Sequence, residues 1–152
     1  MTDRSFERRN AEASDELRRL VDTLSADDLV TDVGVGWTVA TCLAHLAFWD
    51  RWQVVRWREA RAAGLLVPAD VSDNVPDLAN AALETTWRAL AGETAAARAL
   101  QAAAEIDALV AALPEASVRA APAAGRVRLL DRSIHRLEHA AQIRRSLGRA
   151  ES

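Results

Sequence analysis

The stretch Thr38-Val39-Ala40-Thr41-Cys42-Leu43-Ala44-His45-Leu46 decides how the rest of the chain is read. Thr38 is a good helix N-cap, because its hydroxyl can accept from a free N–H of the first turn. Behind it Val39, Cys42, Leu43, Leu46, Trp49 and Val54 form the apolar set of a helix, and His45 travels with them. Asp50, Arg51, Arg56, Arg58, Glu59 and Arg61 supply much of the polar side. The spacing predicts a helix over 39–63, ended by Gly64. The chain holds only two other histidines, His135 and His139, in His135-Arg136-Leu137-Glu138-His139. Residues four apart lie one above the other on a helix face, close enough for two imidazoles to hold one metal ion. A third imidazole from a distant helix would complete a three-nitrogen site with open positions, the ligand count of a catalytic rather than a structural zinc site.

Outward from this core the same periodicity continues. Phe6, Ala13, Leu17, Leu20, Val21 and Leu24 mark a first helix over 5–24. Ser25-Ala26-Asp27-Asp28 resembles a capping box and a short turn of helix, and Gly34 and Gly36 break the chain before Trp37. A loop over 64–72 follows the second helix. A third helical region runs over 76–113, with proline in its first turn and an interruption near Gly92. Residues 114–125 hold two prolines and a glycine and read as a loop. The last helix is expected over 127–147, with Gly148 just past its end. No β-hairpin signal and no internal repeat occurs. These elements predict an all-α fold, a four-helix bundle with a long, interrupted third helix, in a single domain over 1–152. Bundles build metal sites from side chains on facing helices, and antiparallel or crossed packing would bring His45 to the pair on the last helix.

Composition narrows the function classes. At 152 residues the chain has the length of one domain, and 50% apolar with 27% charged residues is ordinary for a globular protein. A net charge of −3 gives no general attraction to phosphate backbones, so nucleic acid is not the expected partner. A single cysteine, Cys42, excludes an intramolecular disulfide and suits a reducing cytoplasm. The start Met-Thr-Asp-Arg-Ser shows no signal peptide, and no long apolar segment suggests a membrane span. All nineteen basic residues are arginine, which excludes lysine-dependent Schiff-base chemistry.

Taken together, Gly36-Trp37-Thr38 opening a helix, Leu43-Ala44-His45-Leu46 within it, Asp77-Leu78-Ala79-Asn80 opening helix three, and His135 and His139 on the last helix resemble the DinB-like family of metalloenzymes. The likeness runs through nearly the whole chain in order and spacing. It implies a four-helix bundle, usually a homodimer, with a divalent metal, zinc or nickel, on His45, His135 and His139. Related families include bacterial thiol S-transferases and the mycothiol-dependent maleylpyruvate isomerases, which use a low-molecular-weight thiol at the metal. The chain departs from the isomerase pattern in its all-histidine triad and in a length that leaves no room for a second, C-terminal domain. The resemblance therefore implies transfer of a small thiol to a small-molecule substrate, or hydrolysis.

Other residues are weighed against plainer roles. Glu138 completes the string His-x-x-Glu-His of certain peptidases, but those need a further ligand well downstream, and thirteen residues follow His139. It stands as a candidate base or outer partner of the site, or as a solvated partner for an arginine. Cys42 shares a side with His45 and could bind zinc as thiolate, though a buried apolar role is the commoner one. Trp49 and Trp52 could wall a pocket beside the metal, or serve a core or a dimer interface. Asp77 and Asn80 could line its mouth or merely cap a helix. Arg132 and Arg136 could hold an anionic substrate or sit on the surface. The rival readings are a non-catalytic bundle that binds a metal or small molecule, with a stress-related role, and a purely structural helical dimer.

Overall fold

Thr38 caps its helix as expected: its backbone is extended at φ −92, ψ 167, and its Oγ1 accepts from the Thr41 N–H at 3.2 Å. A computed structural model describes residues 1–150. Among them are seven α-helices: α1 (Ser5–Asp22), α2 (Ala26–Leu29), α3 (Val39–Ala62), α4 (Val75–Arg88), α5 (Gly92–Ala111), α6 (Glu115–Ala123) and α7 (Ser133–Ser146). A 3-10 turn spans Val127–Leu129, and among the described residues no strand is present beyond an isolated bridge between Asp32 and Thr38. The capping box at Ser25 forms, with Ser25 and Asp28 each accepting the other's backbone N–H. None of the helices is long and apolar enough to cross a membrane.

The bundle is a ring of four. α5 packs on α3 and α1, and α7 packs on α1 and α3, while α4 lies on α3. Two apolar clusters fill the interior. One joins Leu43, Leu46 and Ala47 of α3 with Ala95, Ala99 and Ala102 of α5, Leu17 and Leu20 of α1, and Ile143 of α7. The other joins Val54 and Trp57 of α3 with Ile106 and Val110 of α5 and Phe6 of α1. Following those residues along each helix, α3 and α5 run one way and α1 and α7 the other. α7 is thus antiparallel to α3, which brings His139 up to the level of Cys42 and His45.

Three expectations are corrected. The long third helix is two helices. Residues 89–91 break it, and Gly92 opens α5 where an added Cβ would lie 2.9 Å from Leu29 Cδ1, a space only glycine fits without displacing Leu29. The stretch 114–125 is not all loop: α6 forms because Val118 and Ala121 bury against the second cluster, and Pro122 falls in its last turn, where its missing N–H removes a single bond. The last helix begins at Ser133, not 127. The linker before it spends its backbone groups on side chains: Asn10 Nδ2 donates to Leu130 O at 2.9 Å, Arg132 N–H donates to Asn10 Oδ1 at 2.8 Å, and Ser133 N–H donates to Asp131 Oδ1 at 3.0 Å. His135 and His139 therefore lie in the first two turns of α7 rather than at mid-helix.

Between the two apolar clusters runs a buried polar layer. Asp50, 2% exposed, accepts Arg132 Nε at 2.9 Å on one oxygen and Arg136 Nε at 3.0 Å on the other. Arg136, wholly buried, grips Asp107 of α5 with two bonds of 2.9 Å, and its Nη1 reaches Ser14 of α1 at 3.0 Å. Burial works against the Arg136 charge, yet Asp50 and Asp107 more than offset it and hold its pKa above the usual arginine value. Of the two alternatives for Arg132 and Arg136, placement on the surface is ruled out, because Asp50 meets both inside the bundle. The layer fixes the height and rotation of α7, and with it the two histidines.

Candidate metal centre

His45, His135 and His139 converge, offering nitrogen ligand atoms that lie within 4.8 Å of one another. His45 comes from the second turn of α3 and is buried. The Nε2 atoms of His45 and His135 are 3.2 Å apart. At zinc–nitrogen distances of about 2.05 Å, two imidazoles at a tetrahedral angle sit about 3.3 Å apart, so this pair already stands at the spacing a shared ion imposes. The Nδ1 atoms of both rings are buried without a hydrogen-bond partner among the described residues. A metal-bound imidazole usually donates its other ring N–H to a partner; His139 has one in Gln142, whereas His45 and His135 have none among the described residues. Three neutral nitrogen donors suit zinc and nickel alike.

The third ring is held in a defined tautomer. Gln142 Nε2 donates to the Val33 carbonyl at 3.0 Å, so its Oε1 is the atom that faces His139 Nδ1 at 2.9 Å. An amide oxygen only accepts, so Nδ1 carries the proton and Nε2 keeps its lone pair for a metal. Val33 belongs to the turn between α2 and α3, where its N–H bonds Trp37 O at 2.8 Å. Residues far apart in sequence thus set one imidazole.

Indoles enclose His45. Trp37 lies 5.0 Å from its ring centroid, Trp87 5.2 Å and Trp49 6.3 Å, the last two edge-on. Trp49 Nε1–H donates to Asn80 Oδ1 at 3.0 Å, tying α4 to α3. Beside His45 and His135 opens a cavity of about 310 Å³, whose lining includes Trp49, Trp52, Asn80 and Arg132. Asp77 is exposed in the first turn of α4 and Glu138 is exposed on α7; neither is part of that lining. Cys42 Sγ is 3.3 Å from His139 Nδ1, fully buried, and burial pushes its pKa up to about 12, so it is a thiol rather than a thiolate ligand. Asp50, Gln142, Trp37 and Trp87 are the contributors that periodicity did not reveal; of these only Trp37 carried a signal, its place before the Thr38 cap.

Electrostatics keep the site ready for a cation. Burial, with His139 adding to it, lowers the pKa of His45 to about 3. Burial, then His139, Arg132 and His45, lowers that of His135 to about 2, and burial lowers His139 as well. The metal-free fold therefore holds neutral rings, while the unfolded chain binds protons below its ordinary value near 6.5. Stability is full above that value and declines as pH falls below it, by up to about 1.4 kcal/mol per pH unit for each ring. Urea denaturation of metal-free protein should show a lower midpoint at pH 5 than at pH 7.5, with a smaller pH effect once the three histidines are replaced. Equal midpoints in the intact protein would refute this.

Comparison with curated proteins and with solved structures gives no match. A family model does match, over residues 10–143, which takes in all three histidines, the whole of α3 and most of α7. By that match, with the all-helical bundle and the split histidine triad described above, the chain belongs to the DinB superfamily.

Proposed function

We propose that this protein is a divalent-metal-dependent enzyme that transfers a low-molecular-weight thiol to a small electrophile, hydrolysis being the other use of the same centre. The observation that carries the reading is the three-histidine cluster, two of whose rings, His45 and His135, line a cavity of about 310 Å³. A zinc or nickel ion there would lower the pKa of a bound thiol or water and so make thiolate or hydroxide available near neutral pH. The chain's own groups do the rest. His45, His135 and His139 would hold the ion, Gln142 fixes the His139 tautomer, and the indoles of Trp37, Trp49 and Trp87 exclude water from His45. Trp49 and Trp52 offer apolar wall to a substrate. The transferred thiol comes from outside the chain, because Cys42 is buried and protonated.

The test is metal content by mass spectrometry on untagged protein, beside a His45→Ala, His135→Ala, His139→Ala triple variant. Near one equivalent of zinc or nickel in the intact protein, lost in the folded variant, is the expected result and justifies screening thiols with electrophiles. Equal, negligible metal in both after reloading with either ion would sink the metalloenzyme reading and leave a binding bundle.

A further inference from the structure

The geometry points to a small organic carboxylate with a flat apolar body as the ligand of the cavity beside His45 and His135, with Arg128 and Arg56 receiving its carboxylate. The inference rests on reading that cavity as the substrate side of the metal centre. Three guanidinium groups line it, Arg56, Arg128 and Arg132, against a single carboxylate, Asp131. Two of these four charges are already matched. Arg132 Nε is held by Asp50 at 2.9 Å, and Asp131 Oδ2 accepts Arg9 Nε at 2.8 Å while its Oδ1 caps Ser133.

The other two have no direct ion pair. Arg56 donates to the Ala69 carbonyl at 2.6 Å and makes no direct ion pair; Arg126 beside it adds a like charge, which Asp70, paired with Arg126 at 3.1 Å, offsets only in part. The guanidinium of Arg128 has neither an ion pair nor a hydrogen bond among the described residues, and its charge reaches His135. Two guanidinium groups without a direct ion pair, on one small cavity, suit an anion, and a guanidinium fork fits a carboxylate with two parallel bonds. The remaining walls are apolar. Trp49 and Trp52, their rings 6.0 Å apart, stand with Val71 and Pro76. A bare inorganic anion would leave those surfaces wet, whereas an aromatic or unsaturated acid covers them, and the volume limits it to a small one.

The experiment is isothermal titration calorimetry with phenylacetate and its neutral isostere phenylacetamide, on zinc-loaded and metal-free protein. Wild type should bind the acid at least about tenfold more tightly than the amide, the range expected of a charge-assisted pair. The preference should persist without metal, because the guanidinium groups supply it. Arg128→Ala should abolish it with metal content unchanged, and Arg128→Lys should restore part of it. Equal affinity for the two probes, no binding of either, or a preference untouched in Arg128→Ala overturns the inference. Failure here is separable from failure of the metal reading. Protein that holds metal without the preference refutes the carboxylate site alone, and protein that keeps the preference but never binds metal refutes the metal centre alone.

Discussion

Asp50→Ala is expected to lower folding stability by about 3–5 kcal/mol, the cost of removing one partner from a buried ionic network. Arg136 is fully buried and Arg132 nearly so, and the Asp50 carboxylate receives both. Without it, Arg136 keeps Asp107 but faces an empty space on its other side, and Arg132 keeps only the Arg128 carbonyl. Arg51→Ala, one residue along, is the control. Its pair with Glu105 is half exposed, with Arg51 at 51% and Glu105 at 30%, and such pairs contribute about 0–1 kcal/mol. Denaturant titrations of the two variants should differ by several kcal/mol; similar small losses in both would show that the polar layer does not hold α7 in place. Metal retention should also suffer in Asp50→Ala, since the same carboxylate sets the position of His135.

Zinc is expected to raise the stability of the intact protein by about 4 kcal/mol when its free concentration is roughly a thousandfold above Kd, because an ion bound only by the folded state shifts the equilibrium by mass action. In His135→Ala this increment should vanish while the fold survives. The replaced ring is half-buried at the cavity wall and its Nδ1 has no partner, so its loss removes little that holds the metal-free protein together. Thermal or denaturant unfolding with and without zinc measures both quantities. Equal stabilisation of the two proteins would place the ion elsewhere, and stabilisation of neither would remove the metal centre.

The helices and the triad were legible because they rest on local rules: apolar spacing, the Thr38 cap, the Ser25 box, and two histidines four residues apart. What escaped was decided by distant residues. Asp50 looks like the polar side of α3, and only Arg132 and Arg136, more than eighty positions away, take it inside. Leu129 and Leu130 continue the apolar rhythm of α7 backward, so nothing local announces that Asn10 ends it at Ser133. The prolines around α6 signal a break, but the burial of Val118 and Ala121 outweighs the one hydrogen bond lost at Pro122. Gln142 gives no sign of its role until Val33 fixes which end of its amide meets His139.

The chain contains no tyrosine, and three of its five tryptophans crowd the ring of His45. Its intrinsic fluorescence is therefore dominated by indoles, several of which are walls of the candidate metal centre. Zinc, with a closed shell, would perturb that emission through the local field, whereas paramagnetic nickel would quench it. The aromatic enclosure that keeps water from His45 thus doubles as a built-in optical gauge of occupancy, readable in real time without a label.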